Sequence, residues 1–505
     1  MKFNFLRKEN KVVLNYEGAK AYTITPAEEL YTAVVTTGLS DTAYEKGNDR
    51  LERIRSLIKK NDPEFVAKLA VYARKDMYLR SIPLVLTTEL AKQVSGTDLV
   101  SRTVDGVVQR ADEITELLAY YQLANKRTET KKLNKLSKQI QKGLMKSFNK
   151  FDEYQFAKYN RKAEVTLRDA LFLVHPKAKD ESQQIIFNKI VNDMLETPYT
   201  WEVELSTLGQ KKFVTDTERK SAFKNKWEEL IFSNKLGYMA TLRNLRNILE
   251  AGVSSDAMNK VCRYLSDEKA VSHSKQLPFR FLAAYRELKT VDSPYVSSIL
   301  EALEEAVIVS AGNIRGFGFE TSVVIAADVS GSMQKPVSKK NKVLLYDIGL
   351  LMSMMLQSQC KNVVTGIFGD RWLRVPMPKS GILRNVDAFY KREGEVGYST
   401  NGYLVLEDLI KREEKADKIM LFTDTQLWDS SGNRNSFENL WNRYKAIAPH
   451  AKLYIFDLAG YGRQPLDITK NDVYLIAGWS DKIFEVLNAL EDRKSAVQMI
   501  QKVVL

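Results

Sequence analysis

Cysteine and histidine are almost missing from this chain: 505 residues hold two cysteines, Cys262 and Cys360, and three histidines, His175, His273 and His450. Two distant cysteines build no disulfide framework and fit a reducing compartment, so a cytoplasmic location is expected. So few soft ligands also exclude a zinc finger or ribbon. No run of about 18 consecutive apolar residues occurs, so neither a membrane-spanning helix nor a membrane partner is expected. The opening Met1-Lys-Phe-Asn-Phe-Leu-Arg-Lys8 lacks the apolar core of an export signal. Catalytic signatures are missing as well: there is no Gly-x-Ser-x-Gly elbow, no Gly-x-x-x-x-Gly-Lys loop and no His-Glu-x-x-His helix. The composition, 44% hydrophobic and 28% charged, is nevertheless that of ordinary globular domains.

What the chain has in excess is positive charge, unevenly placed. The net charge is +13, of which residues from 320 onward carry +3 and residues 1–319 carry +10. Residues 126–162 alone hold 12 basic and 3 acidic side chains. Such density is the electrostatic footprint of a surface that meets a polyanion. Within it Leu133, Leu136, Ile140, Leu144 and Phe148 repeat at steps of three and four, as do Lys131, Lys135, Lys138, Lys142 and Lys146. One helix face can therefore dock on a core while another presents ammonium groups about one turn apart. A helix lying on a membrane would share this pattern. Phe148 is the lone aromatic of the apolar stripe and no lipidation signal is present, which argues for nucleic acid instead.

Two periodicities divide the chain. From about residue 25 to 310, helix follows helix. Pro26 stands near a first helical position with Glu28 and Glu29 in the first turn, and Asp62 is placed to cap the next helix but one. Leu51, Ile54, Leu57 and Ile58 recur at helical spacing, and segments 112–121, 182–195, 237–249 and 278–288 keep the same period. Stacked helical hairpins of an α-solenoid are expected, without a repeat visible in the sequence itself. From about residue 320, apolar strands at 322–327, 362–368, 418–422 and 452–456 alternate with helices at 343–359, 402–413, 436–446 and 482–490. Near-continuous apolar strands between helices predict a parallel sheet covered on both faces. The expected domains are 1–315, a helical region bearing the basic segment, and 316–505, an α/β region.

The first of those strands ends in Asp328-x-Ser330-x-Ser332, and the third ends in Thr423-Asp424; Thr400 precedes a helix between them. A carboxylate and two hydroxyls two residues apart on a turning loop can converge on one hard cation. Mg²⁺, which prefers an oxygen octahedron and keeps several waters, suits so few charges.

These residues resemble the metal-ion-dependent adhesion site of von Willebrand factor A domains, and the resemblance implies that Asp328, Ser330, Ser332, Thr400 and Asp424 hold a divalent cation. Where that family often has two glycines before the threonine, Tyr398 and Ser399 stand here. A helical solenoid followed by such a domain in turn resembles the Ro ribonucleoprotein family, whose helical part is the TROVE module. The likeness is carried by Ala73-Arg-Lys-Asp-Met-Tyr-Leu-Arg-Ser-Ile-Pro83, Leu167-Arg-Asp-Ala-Leu-Phe-Leu-Val-His-Pro-Lys177, Ala240-Thr-Leu-Arg-Asn-Leu245 and Leu277-Pro-Phe-Arg-Phe-Leu282. It implies a HEAT-like helical ring, monomeric and closed by the A-like domain, which binds Y RNAs on its outer surface and 3′ single-stranded ends of misfolded RNA in its hole. The family's outer-surface pattern falls on Lys158, Tyr159, Lys162 and His175, with Arg161, Arg168, Lys177, Lys138 and Lys142 adding charge. Lysines give point charges to phosphates, tyrosine stacks on unpaired bases and histidine donates to phosphate or base edges. Arg74, Arg80 and Arg243 are candidates to line the hole, with helix-packing ion pairs the competing explanation. The implied roles are RNA quality control or maturation, in some bacterial relatives together with a 3′-to-5′ exoribonuclease.

Two other classes compete. A metal-dependent nuclease would need more acidic ligands than the motif supplies. A protein-binding adaptor would use an open position on the metal, which in A-like domains an acidic residue of a partner fills. The expectation is a binding protein, not an enzyme.

Overall fold

The computed structural model describes residues 11–125, 136–311, 316–337, 343–392, 394–428, 436–491 and 494–505. They fall into two compact units. One takes the described residues of Met1–Leu57, Ser266–Thr290 and Ser297–Met499; the other takes Ile58–Leu265, Val291–Val296 and Ile500–Leu505. The division is not sequential.

In the first unit β1 (Val12–Leu14) and β2 (Lys20–Thr23) form an antiparallel hairpin. The main sheet uses β3 (Ser322–Asp328), β4 (Asn362–Phe368), β5 (Trp372–Arg374), β6 (Lys418–Thr423), β7 (Lys452–Asp457) and β9 (Val473–Ala477), in the order β5-β4-β3-β6-β7-β9. Between β7 and β9, β8 (Arg463–Gln464) leaves the main sheet and pairs with β2, Tyr22 opposite Gln464. All main-sheet pairs are parallel except β4–β5. The apolar run Val323 to Ala327 is buried throughout, as a strand covered on both faces must be.

The four strands expected from the sequence are β3, β4, β6 and β7, and the four expected helices are Leu345–Gln359, Tyr403–Lys411, Phe437–Ile447 and Ile483–Glu491. From β3 the chain moves outward to β4 and β5, then crosses back to lay β6 on the other side of β3. That reversal opens a crevice beyond the carboxyl ends of β3 and β6.

Residues far from the sheet in sequence complete this unit. The helix Pro26–Val35 starts at Thr25, whose side chain and Glu28 cap each other reciprocally. Tyr31, fully buried on that helix, donates its hydroxyl to the carbonyl of Ala477 in β9 at 3.0 Å. Arg50, 1% exposed, pairs with Glu45 at 2.7 Å and donates to the carbonyls of Thr36 and Ala459. A buried guanidinium is tolerated only with its donors met.

The second unit is helical. Asp62 caps Pro63–Lys75 by accepting from the amides of Glu64 and Phe65. That helix packs on Ser81–Leu90 and on Leu99–Val107, which in turn packs on Lys138–Phe148. The last contact is close because of Gly143: a Cβ there would meet Val104 Cβ at 2.5 Å and the Ser101 carbonyl at 2.8 Å. Ile140, Leu144 and Phe148 are fully buried, so the apolar stripe expected from the sequence faces the core. Leu133, Lys131 and Lys135 of the two stripes lie outside the described residues. Helices at Asp112–Ala124, Glu181–Val191 and Tyr238–Glu250 here, and Phe279–Leu288 in the first unit, match their expected positions. No helix among the described residues is long and apolar enough to cross a membrane.

Candidate metal crest and nucleic-acid face

The crest forms where two buried strands stop. β3 ends at Asp328, and the chain turns at once so that the amide of Ser330 donates back to Asp328 Oδ1 at 2.9 Å. The other oxygen, Oδ2, accepts from the Thr423 hydroxyl at 2.6 Å, which ties the ends of β3 and β6 together. The hydroxyls of Ser330 and Ser332 are 3.2 Å apart. Thr400, buried, donates to the carbonyl of Gln426 at 2.9 Å and stands just before the helix Tyr403–Lys411, as expected. Asp424 accepts the amide of Gln426 on Oδ1 at 3.0 Å. Its Oδ2 is buried with no hydrogen-bond partner among the described residues.

That orphan oxygen tests whether a cation fits. Burial pushes the Asp328 carboxyl up to about 6. Burial and then the charge of Asp328 push Asp424 up to about 7. Two buried carboxylates repel each other in both water-poor surroundings and close quarters, and a divalent ion lets both ionise. Two carboxylates with three hydroxyls form a hard, oxygen-only donor set. No cluster of three or more His, Cys, Asp or Glu is present among the described residues, so any metal held here relies on the hydroxyls.

Several residues at the crest were not legible as site residues. Asp457 ends β7 as Asp328 ends β3, accepting from the amides of Ala459 and Gly460 at 3.0 and 2.7 Å. Its signal, an apolar run stopping at an aspartate, was available in Lys452-Leu-Tyr-Ile-Phe-Asp457. Tyr16, Tyr44 and Tyr461 pack together, with Tyr16 and Tyr44 stacked at 5.3 Å and 5° and Tyr461 edge-on to both. Glu17 and Tyr44 line one recess with Ser332, Thr400 and Trp428. No local spacing links these N-terminal residues to the crest.

The second unit carries the basic face. Three successive helices, Lys138–Phe148, Glu153–Tyr159 and Leu167–Val174, place it. Lys138, Lys142, Lys158, Arg161, Lys162, Arg168, His175 and Lys177 are all exposed. None of them joins an ion pair among the described residues. Gln141 donates to the carbonyls of Leu173 and Val174 at 3.4 and 3.1 Å, which holds His175 beside the lysine-bearing helix. His175 itself is a left-handed cap (φ 51°), exposed rather than a core histidine. Tyr159 is half-buried, with the Arg110 guanidinium 4.2 Å from its ring centre. One face of the ring is therefore already taken by a cation.

The arginines considered for a hole differ among themselves. Arg74 pairs with Glu113 at 2.8 Å, and Arg80 pairs with Asp112 at 2.9 Å and Glu113 at 3.5 Å. These ion pairs join helices within the unit. Arg243 is exposed on Tyr238–Glu250.

Helical hairpins in one unit and, in the other, a mainly parallel sheet with a cluster of oxygen side chains at its switch point define a helical-repeat protein combined with a von Willebrand factor A-like fold. The TROVE domain family model matches residues 32–225 and 194–307, more than half of the chain, and the chain belongs to that family, which includes the Ro proteins. The crystal structure of the Deinococcus radiodurans RO (RSR) protein shares the fold, with a TM-score of 0.55 and 15% identity over 91% of this chain and 99% of that one. Telomerase protein component 1 of Mus musculus is 26% identical over 322 residues, 47% of this chain but 12% of that protein. The Rattus norvegicus protein of the same name is 26% identical over 310 residues, 46% of this chain and 11% of its own length. The chain thus spans a small part of those curated relatives.

Proposed function

We propose that this is a Ro-type RNA-binding protein that holds Y-like small RNAs on the exposed basic face and takes up 3′ ends of misfolded or structured RNAs, in quality control or maturation. The observation that carries the reading is a set of eight exposed cationic or ionisable side chains, without ion-pair partners among the described residues, on three successive helices and the loops that follow the last two, in a TROVE-family chain. Solvated cations with no carboxylate to leave give up little when they meet phosphate, and counterion release then drives binding. The metal crest belongs to the same reading: Asp328, Ser330, Ser332, Thr400 and Asp424 would hold Mg²⁺, which orders the loops and offers charge to an acidic group. The chain acts by binding and not by catalysis; a 3′-to-5′ exoribonuclease partner and a cytoplasmic location complete the proposal.

The test is a gel-shift titration with a Y-like RNA. Replacing Lys158, Lys162 and His175 together by alanine is expected to weaken binding by about 100-fold, at about 1 kcal/mol per lost contact. Unchanged affinity would remove this face from consideration. Incubating labelled RNA with the protein and Mg²⁺ should leave it intact; metal-dependent fragments would overturn the binding reading.

A further inference from the structure

We infer that a recess in the helical unit takes one unpaired base of a single-stranded RNA, with a neighbouring phosphate set on Lys260. The inference rests on the RNA-binding reading and adds to it a contact for a base, on helices that carry none of the basic-face residues.

Three helices frame the recess. Asp216–Phe232 ends at Ser233, and Asn234 turns the chain with a left-handed backbone (φ 57°) that asparagine tolerates. The next helix, Tyr238–Glu250, starts after Gly237. A third, Ser255–Ser266, is tied to both: the Tyr238 hydroxyl donates to the Leu265 carbonyl at 2.6 Å, and the Lys260 ammonium to the Phe232 carbonyl at 3.2 Å. Between them lies a space of about 100 Å³, several times what one water needs.

Its lining combines the parts that recognise a base. Ile231, Leu236 and Val261 are buried and make it apolar. Tyr264, 36% exposed, adds an aromatic wall, and its edge contact with Tyr238 at 5.5 Å holds that ring in place. Stacking on such a ring tolerates any sequence, because every base has a π-face. Thr241, buried, gives its hydroxyl proton to the Gly237 carbonyl at 3.3 Å and accepts from no described residue. The exposed Asn234 side chain has no hydrogen-bond partner among the described residues, so it offers both a donor and an acceptor. These groups suit the mixed edge of a heterocycle. An aliphatic side chain of a protein partner would leave them unpaired.

Charge selects the rest of the occupant. Lys260 has no ion pair among the described residues, and among those residues no carboxylate lines the recess. Lys235 stands exposed beside the turn, its ammonium 4.7 Å from the Tyr199 ring centre. A phosphate next to the base meets these two cations.

The probes are a single-stranded RNA oligonucleotide carrying 2-aminopurine, an abasic strand of equal length, adenosine monophosphate and a Y-like RNA. They are titrated against the full chain, Tyr264→Ala and Thr241→Val, with circular dichroism to check that each variant is folded. The full chain is expected to prefer the base-bearing strand over the abasic one by about tenfold and to change the 2-aminopurine fluorescence. Tyr264→Ala should erase that preference and Thr241→Val reduce it by about fivefold, with the abasic strand bound as before. If the full chain holds the Y-like RNA but binds both strands alike, or if Tyr264→Ala keeps the preference, the recess inference falls and the RNA-binding reading stands. If adenosine monophosphate binds as tightly as the oligonucleotide, the occupant is a free nucleotide and the assignment to RNA falls. If no RNA binds at all, both fall.

Discussion

The two charged regions of this protein solve opposite problems. On the basic face of the helical unit, Lys138, Lys142, Lys158, Arg161, Lys162, Arg168 and Lys177 stand exposed and without ion-pair partners among the described residues, so their charge is open to whatever approaches. At the sheet crest, two aspartates are buried, 1% and 0% exposed, and one oxygen has nothing to accept from. A solvated charge costs little and gains little until a polyelectrolyte arrives with its counterions. A buried charge is unfavourable until one ion neutralises it. The first arrangement suits a long polyanionic partner, and the second suits a single small cation.

The contrast can be broken most sharply at Asp424. Asp424→Ala is expected to reduce Mn²⁺ affinity by more than about 100-fold, measured calorimetrically, with RNA affinity unchanged in a parallel gel shift. A matching fall in RNA affinity would mean the two regions are coupled. Salt should separate them next. Raising it from about 50 to 200 mM is expected to weaken RNA binding by roughly 100-fold or more if about five phosphates are neutralised. The buried crest should hold Mn²⁺ nearly as well in both, since enclosed charges are poorly screened. Smaller effects test the scaffolds. Gly143→Ala should lower the thermal stability of the helical unit by about 1–3 kcal/mol through overpacking against Val104 and Ser101, and full stability would show that those helices can part. Thr25→Ala should cost about 1 kcal/mol in the sheet unit by removing a helix cap, read by chemical denaturation.

Much of this was legible in the sequence, for reasons that differ by element. β3, β4, β6 and β7 announce themselves because strands buried on both faces must be apolar almost without interruption. Ser330 and Ser332 are legible because their spacing from Asp328 is local. The stripe Ile140, Leu144, Phe148 is legible because helical period and burial coincide. What stayed hidden lacks a local signature. β5 is three residues long and carries Arg374 at a sheet edge, and β1 is largely exposed, so neither shows the pattern of a buried strand. Glu17, Tyr44 and Tyr461 meet only through tertiary structure. That Arg74 meets Glu113 and Arg80 meets Asp112 is likewise a matter of tertiary structure, since no local spacing joins them.

The pairing of β2 with β8 has a consequence for biogenesis. A chain leaving the ribosome exposes its first hairpin long before residue 464 exists to receive it. The helices 63–107, whose neighbours are near in sequence, can collapse while translation continues; the sheet unit must wait for nearly the last residue. Early hairpin strands are thus left with an unsatisfied edge during synthesis, and a fragment beginning at 316 would lack the segment that seals its crest.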